Sequence, residues 1–254
     1  MTDELLVERR GAVLVLTIDR PEARNAISLA VAEGIAAAVD LLDGDDDLRV
    51  GVLTGAGGTF CSGMDLKGFL RGELPVVPGR GFAGLVQAPP RKPLVGAVEG
   101  WALAGGFELL LACDLVVAAE DARFGVPEVK RSLVAAGGAA LWLTERMPRA
   151  LALEMLLTGE PIDAARAAEV GLVNRLTASG GALAGALELA GTIALNGPLA
   201  VAATKRIAVA ARGWDADRAW REQAAISDPV LASEDAREGA AAFAEKRAPI
   251  WRNR

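Results

Sequence analysis

Histidine and tyrosine are both missing from this 254-residue chain, and cysteine occurs only twice, at Cys61 and Cys113. Without histidine, Ser-His-Asp and Cys-His nucleophilic machinery cannot be built, and the commonest metal ligand is lost. Acid–base chemistry falls to carboxylates, lysine or cysteine. The two cysteines stand among apolar or small residues with no metal-ligand spacing. They read as reduced thiols of a cytoplasmic protein, and no metal site is expected. Positive charge is in deficit: the net charge is −6 and no basic stripe stands out, which argues against nucleic acid as a partner. Small anions stay admissible, because local backbone N–H groups bind them whatever the global sign. No uncharged apolar run reaches the ~20 residues of a membrane-spanning helix. Met1-Thr2-Asp3-Glu4 shows no basic region leading into an apolar one, so neither a signal peptide nor a membrane role is expected.

What the chain has is apolar bulk, 52% hydrophobic against 24% charged residues, which suits one large core or a core with an appendage. The first half alternates strand and helix patterns. Ala12–Ile18, Val50–Thr54, Pro93–Glu99 and Leu115–Ala119 are β-branched or apolar runs that predict buried strands. Ser28 is placed to cap a helix running to about Leu42, ended by Asp43-Gly44-Asp45. Residues 55–67 form a glycine-rich loop, but the G-x-G-x-x-G spacing fails and no Walker lysine-serine pair follows. Residues 72–92 carry Pro75, Pro78, Pro89 and Pro90 among several glycines and predict a mobile cover or long loop. From Gly138 onward helices are expected over Ala139–Glu145, Arg149–Leu157, Asp163–Val170, Ala182–Leu195, Pro198–Ala211 and Asp215–Leu231, with one strand at Leu172–Leu176. A β/α core followed by an assembly region is the implied organisation.

Chemistry concentrates in Gly100–Asp114. A helix beginning at Gly105-Gly106 would present free N–H groups at the positive end of its dipole. Glu108, three residues on, would lie on the same side. A donor for a developing oxyanion beside a proton-moving carboxylate is a catalytic arrangement. The same letters also suit a tight strand-to-helix connection with a first-turn acid. Glu128, in Val126-Pro127-Glu128, could in turn simply accept hydrogen bonds at a helix start.

Asp19–Ala26, Phe60–Lys67, Gly100–Asp114 and Phe124–Glu128, taken in order with the closing stretches Ser233–Gly239 and Ala242–Arg247, resemble the crotonase (enoyl-CoA hydratase/isomerase) superfamily across essentially the whole chain. The resemblance implies an α/β fold, with a spiral of ββα turns over residues 1–196 and a helical trimerisation region over 197–254, assembled as a homotrimer or homohexamer. It implies that the backbone N–H groups of Met64 and Gly105 form an oxyanion hole for a thioester carbonyl. Glu108 and Glu128 then stand at the two catalytic glutamates. Ala23, Arg24, Ala26, Ser62, Asp65, Leu66 and Lys67 would line the coenzyme A path, with Phe243 and Lys246 reaching the coenzyme, in one version from a neighbouring subunit. Coenzyme A is here part of the substrate, and no separate cofactor is implied. Two departures stand out: Ala104 replaces a frequent third glycine, and Lys130–Ala136 is one residue shorter than the common hydratase version, without its proline.

The activity this implies is hydration of a 2-enoyl-CoA, reversible as dehydration of a 3-hydroxyacyl-CoA. Two carboxyls around one water can divide the labour of deprotonating it and protonating Cα. Double-bond isomerisation, for which one carboxylate suffices, is an alternative. A carnitinyl-CoA dehydratase is another, since 81–85, 104–109 and 245–251 bear a local likeness to that branch. Its trimethylammonium group would call for an aromatic cage, for which only Trp101, Phe107 or Phe82 could serve. A non-catalytic acyl-CoA-binding protein is the reading from a different class.

Overall fold

The computed structural model describes residues 4–254. Its frame is a six-stranded sheet. β1 (Leu5–Arg10) pairs antiparallel with β2 (Val13–Ile18), and after helix α1 (Leu29–Gly44) β3 (Val50–Gly55) lies parallel to β2. Ser28 Oγ accepts from the Val31 N–H and caps α1 as its sequence position predicts. A short helix α2 (Leu66–Leu70) and a hairpin, β4 (Val76–Val77) with β5 (Gly81–Phe82), precede β6 (Leu94–Val98). Then come β7 (Trp101–Leu103), α3 (Gly105–Leu111), β8 (Leu115–Ala119) and β9 (Arg123–Gly125). The helical part follows: α4 (Ala139–Arg146), α5 (Arg149–Thr158), strand β10 (Ile162–Asp163), α6 (Ala164–Glu169), strand β11 (Arg175–Thr177), α7 (Ala182–Ala194), α8 (Pro198–Ala210), α9 (Ala216–Leu231) and α10 (Glu234–Glu245). The large sheet runs β1-β2-β3-β6-β8-β11, and a small one runs β10-β9-β7.

Strand alternation explains the layering. Val13, Val15, Val50, Val52, Val95, Ala97 and Val117 turn to one face and pack on Ala182, Ala186 and Ala190, a small-residue stripe four apart along α7. Leu14, Leu16, Ile18, Leu53, Val98 and Val116 turn to the other face and meet α1 and α3 in the main core. A sheet covered on both faces needs near-continuous apolar strands, which is why these runs stand out in the sequence.

Each turn of the chain then lays a second, shorter segment across the ends of the first. Single parallel bridges join Ile27 to Met64 and Cys61 to Ala102, and β7 continues the ladder to β9. This repeated strand–strand–helix path is the spiral the resemblance implies, and its second ladder carries the site.

Two expectations are corrected. Residues 72–92 are the long connection that one alternative gave, broken only by the short hairpin, but not a mobile cover: Ala83, Leu85 and Val86 are core residues, and the hairpin is clamped to α1 by an Arg80–Asp40 ion pair. Gly84, at φ +66, lies where a Cβ would stand 2.3 Å from the Ala32 carbonyl oxygen, so the hairpin docks there only as glycine. The strand expected at Leu172–Leu176 begins at Arg175, because Leu172 and Val173 turn into the core first. α10 lies within the stretch 197–254 that the resemblance implies to be helical, and Ser233 caps it by accepting from the Ala236 N–H.

Candidate active site

The backbone N–H groups of Met64 and Gly105, expected from the resemblance as oxyanion donors, lie where the second ladder runs out. Cys61 donates to the Trp101 carbonyl at 3.0 Å and accepts from the Leu103 N–H at 3.0 Å. On the other side, the Gly63 carbonyl accepts from Ile27 at 2.8 Å and the Asp65 N–H donates to the Ile27 carbonyl at 3.0 Å. Alternation along an extended segment turns the Met64 N–H away from Ile27 and toward β7. β7, however, ends at Leu103 and the chain turns into α3, so no carbonyl stands opposite. Neither the Met64 nor the Gly105 N–H donates to a backbone acceptor among the described residues. The two segments are in close contact: a Cβ on Gly63, at φ +103, would stand 3.1 Å from the Gly105 nitrogen. A Cβ on Gly106 would stand 2.3 Å from the Cys61 carbonyl oxygen, so the glycine pair lets α3 start directly against the ladder. The outcome is two N–H groups without a backbone acceptor among the described residues, on segments in close contact, one of them at a helix N-terminus.

The turn into α3 passes through Ala104 at φ 51, ψ −130, a conformation that residues with a side chain rarely adopt. Strain of that kind costs about 1–3 kcal/mol, partly offset by the lower entropy cost of alanine over glycine. Ala104→Gly is therefore expected to stabilise the fold by about 1 kcal/mol and raise the melting temperature by roughly 2–4 °C. A calorimetric scan of the two proteins checks it.

The two glutamates approach from different elements. Glu108 lies in the first turn of α3, is 4% exposed, and accepts from the Ala139 N–H at 3.1 Å through Oε1. Burial pushes its carboxyl up to about 7, the nearby Glu128 carboxylate adds to this, and the Ala139 and Gly137 N–H groups oppose it. Glu128 sits on the 3-10 turn Pro127–Arg131; its Oε2 is buried without a hydrogen-bond partner among the described residues, and burial raises its pKa as well. The Glu128 charge acts on Glu108 less than burial and the Ala139 N–H do. Two carboxyls in one buried setting can divide the roles of proton donor and acceptor. The shorter segment after Glu128 therefore has not turned that side chain out to solvent.

The remaining residues divide into two groups. Ala23, Arg24 and Ala26 are brought against Ser62, whose N–H donates to the Arg24 carbonyl at 3.0 Å. Leu66 and Lys67 are exposed on α2 just beyond. Asp65 is among them, but its carboxyl is committed to the fold. It caps α2 by accepting from Lys67 and Gly68 at 2.9 and 3.2 Å, and it pairs with Arg20 at 3.0 Å. Burial works against that charge, yet Arg20 and the cap hold it below the usual carboxylate range. Phe243 and Lys246 are not brought to this cluster within the chain. Phe243 is 88% exposed on α10, and α10 is tied through the C-terminal tail to Asp46, at the opposite end of β3.

Sequence reasoning missed Asn25, a buried clamp at φ 55. Its Oδ1 accepts from the Arg20 N–H at 2.9 Å, and its Nδ2 donates to the Ala56 and Thr59 carbonyls at 2.8 and 2.7 Å. It joins the 19–26 and 55–60 loops on which the site rests. Its only signal was a polar residue able to take positive φ inside the quoted motif. A large cleft lies elsewhere, between α8, α9 and the segment Pro89–Pro93, and neither glutamate lines it.

The profile of the Enoyl-CoA hydratase/isomerase family matches residues 8–254. The chain belongs to that family. Among its relatives, the enoyl-CoA hydratase EchA19 of Mycobacterium tuberculosis is 44% identical over 99% of this chain and 97% of its own length. A carnitinyl-CoA dehydratase of Salmonella typhi is 40% identical over the whole of both chains. A crystal structure of an enoyl-CoA hydratase from Mycobacterium tuberculosis H37Rv superposes with a TM-score of 0.98 at 56% identity, covering both chains completely. The family's crotonase fold, with its central mainly parallel sheet and C-terminal helices, is thus the fold of this chain.

Proposed function

We propose that the protein hydrates 2-enoyl-CoA thioesters, and dehydrates 3-hydroxyacyl-CoA in reverse. The observation that carries this is the pairing of two raised carboxyls, Glu108 and Glu128, beside two free backbone donors. The Met64 and Gly105 N–H groups hold the thioester oxygen as it becomes an enolate oxygen. The ionised carboxyl takes a proton from water as the water oxygen bonds to Cβ. The protonated one delivers its proton to Cα, so the pair ends with the same number of protons as it began. Isomerisation needs only one such group, and the second carboxyl favours hydration.

The test is incubation of the wild type with crotonyl-CoA in heavy-oxygen water. Loss of the enoyl absorbance with label at Cβ supports the reading; movement of a double bond without label uptake contradicts it.

The relatives named carnitinyl-CoA dehydratase favour a second reading, in which the acyl group carries a trimethylammonium. Of the three possible cage residues, Phe107 is fully buried and packs on Phe124 with ring centroids 5.9 Å apart, so it belongs to the core. Phe82 and Trp101 alone would have to serve, and two rings make a poor cage. Plain enoyl-CoA is the better-supported substrate.

Assembly as a trimer or a pair of trimers forms part of the same reading. α8 and α9 contain no buried residue, while Val209, Trp220 and Leu231 are exposed, as expected of helices that a neighbouring subunit covers. A neighbour's α10 would also supply the Phe243 and Lys246 that the chain's own site lacks.

A further inference from the structure

We infer that Gly137 is a positioning residue for Glu108: the carboxyl keeps its place only because this position has no side chain. The inference rests on the reading of Glu108 as one member of the proton-moving pair. A Cβ on Gly137 would stand 2.6 Å from Glu108 Oε2, 2.9 Å from Cδ and 3.3 Å from Oε1, so the whole carboxyl lies across this glycine. The next residue, Gly138, at φ +116, turns the chain so that Ala139, the first residue of α4, points its N–H at Oε1. A buried carboxyl is thus pressed onto a bare Cα and held by the N–H group that follows.

Chemically, the contact is asymmetric. The φ of Gly137 lies outside the left-handed region, so an alanine there is compatible with the backbone. The three nearest atoms its Cβ would meet all belong to the end of one flexible side chain. The carboxyl must then give way while the fold need not. Movement takes Oε1 off the Ala139 N–H, which weakens what stabilises the charged form. The groups that act on Glu108 are few: burial and Glu128 from the Pro127–Arg131 turn raise it, the two N–H groups lower it, and Arg131 acts on Glu128 rather than on Glu108 directly. With the N–H groups weakened, Glu108 holds its proton to higher pH.

Gly137→Ala is expected to fold, to leave KM for crotonyl-CoA within about twofold, and to lower kcat about 10- to 100-fold, the scale of an ångström of misplacement at a reacting group. The carboxyl infrared band that disappears in Glu108→Gln should titrate at higher pH in Gly137→Ala than in wild type. Combining Gly137→Ala with Glu108→Gln should add almost nothing to the loss of Glu108→Gln alone. The inference is overturned by an unchanged kcat, by an unmoved infrared titration, by the same loss persisting in the Glu108→Gln background, or by failure of Gly137→Ala to fold. If wild type does not hydrate enoyl-CoA at all, the proposed function fails, while the infrared titration still decides the role of Gly137.

Discussion

Glu108→Gln is expected to lower crotonyl-CoA hydration about 10³-fold, the middle of the range for loss of a general acid–base group, while making the folded protein more stable above neutral pH. Both effects have one cause. The carboxyl is buried, and folding raises its pKa from an ordinary 4.5 to about 7. Below pH 4.5 the group is protonated in the folded and unfolded chains alike and costs nothing. As pH rises, the unfolded chain releases the proton first, so stability falls between 4.5 and about 7 and stays lowered above that. At about 1.4 kcal/mol per pH unit of displacement, the deficit approaches roughly 3 kcal/mol. Glutamine removes the charge but keeps an oxygen for the Ala139 N–H, so a gain of about 2 kcal/mol is expected at pH 8 and almost none at pH 4.5. Denaturant melts of both proteins at the two pH values read it directly. A variant that loses activity and also loses stability at pH 8 would mean that Glu108 is structural.

The second large effect concerns the oxyanion hole proposed at Met64 and Gly105. Gly63→Ala is expected to lower kcat about 10²- to 10³-fold, the scale for loss of one oxyanion donor. Two things act together at this position. Its φ of +103 disfavours any side chain, and the new Cβ would meet the Ala104 Cβ at 3.0 Å, the Gly105 nitrogen at 3.1 Å and the Leu103 carbonyl at 3.2 Å. Two of these are backbone atoms, which cannot step aside as a side chain can, so the gap between Met64 and Gly105 must widen. A spectroscopic readout separates this from general damage. A conjugated dienoyl-CoA bound in the hole should absorb at longer wavelength than in water, because the donors polarise its carbonyl, and Gly63→Ala should lose most of that shift while still binding the coenzyme. A full shift in the variant would show that these N–H groups do not grip the carbonyl.

The parts of this architecture legible in the sequence were those set by local pattern. Buried parallel strands leave uninterrupted β-branched runs, so Val13–Ile18, Val50–Gly55, Leu94–Val98 and Leu115–Ala119 stood out, as did the helices from Ala139 to Leu231. β7 did not, because three residues between Gly100 and Gly105 carry too little pattern to read as a strand; it exists because Cys61 and Phe124 flank it. Residues 72–92 misled for a different reason. Proline and glycine there mark tight turns of a docked hairpin, and only the interleaved Ala83, Leu85 and Val86 hinted at burial. Within the site, Glu108 could be read from its spacing to the glycine pair, whereas Met64 and Glu128 needed the family resemblance. Gly137 could be read from neither, since its requirement is imposed by a side chain from another element.

The most direct test of the account is a crystal structure of the wild type with an unreactive CoA thioester. The prediction is a thioester oxygen about 2.7–3.1 Å from both the Met64 and Gly105 nitrogens, with one water held between the Glu108 and Glu128 carboxyls on the Cβ side of the acyl group. A thioester oxygen bound away from these two nitrogens, or a Glu128 carboxyl turned from Glu108 with no water between them, would contradict it.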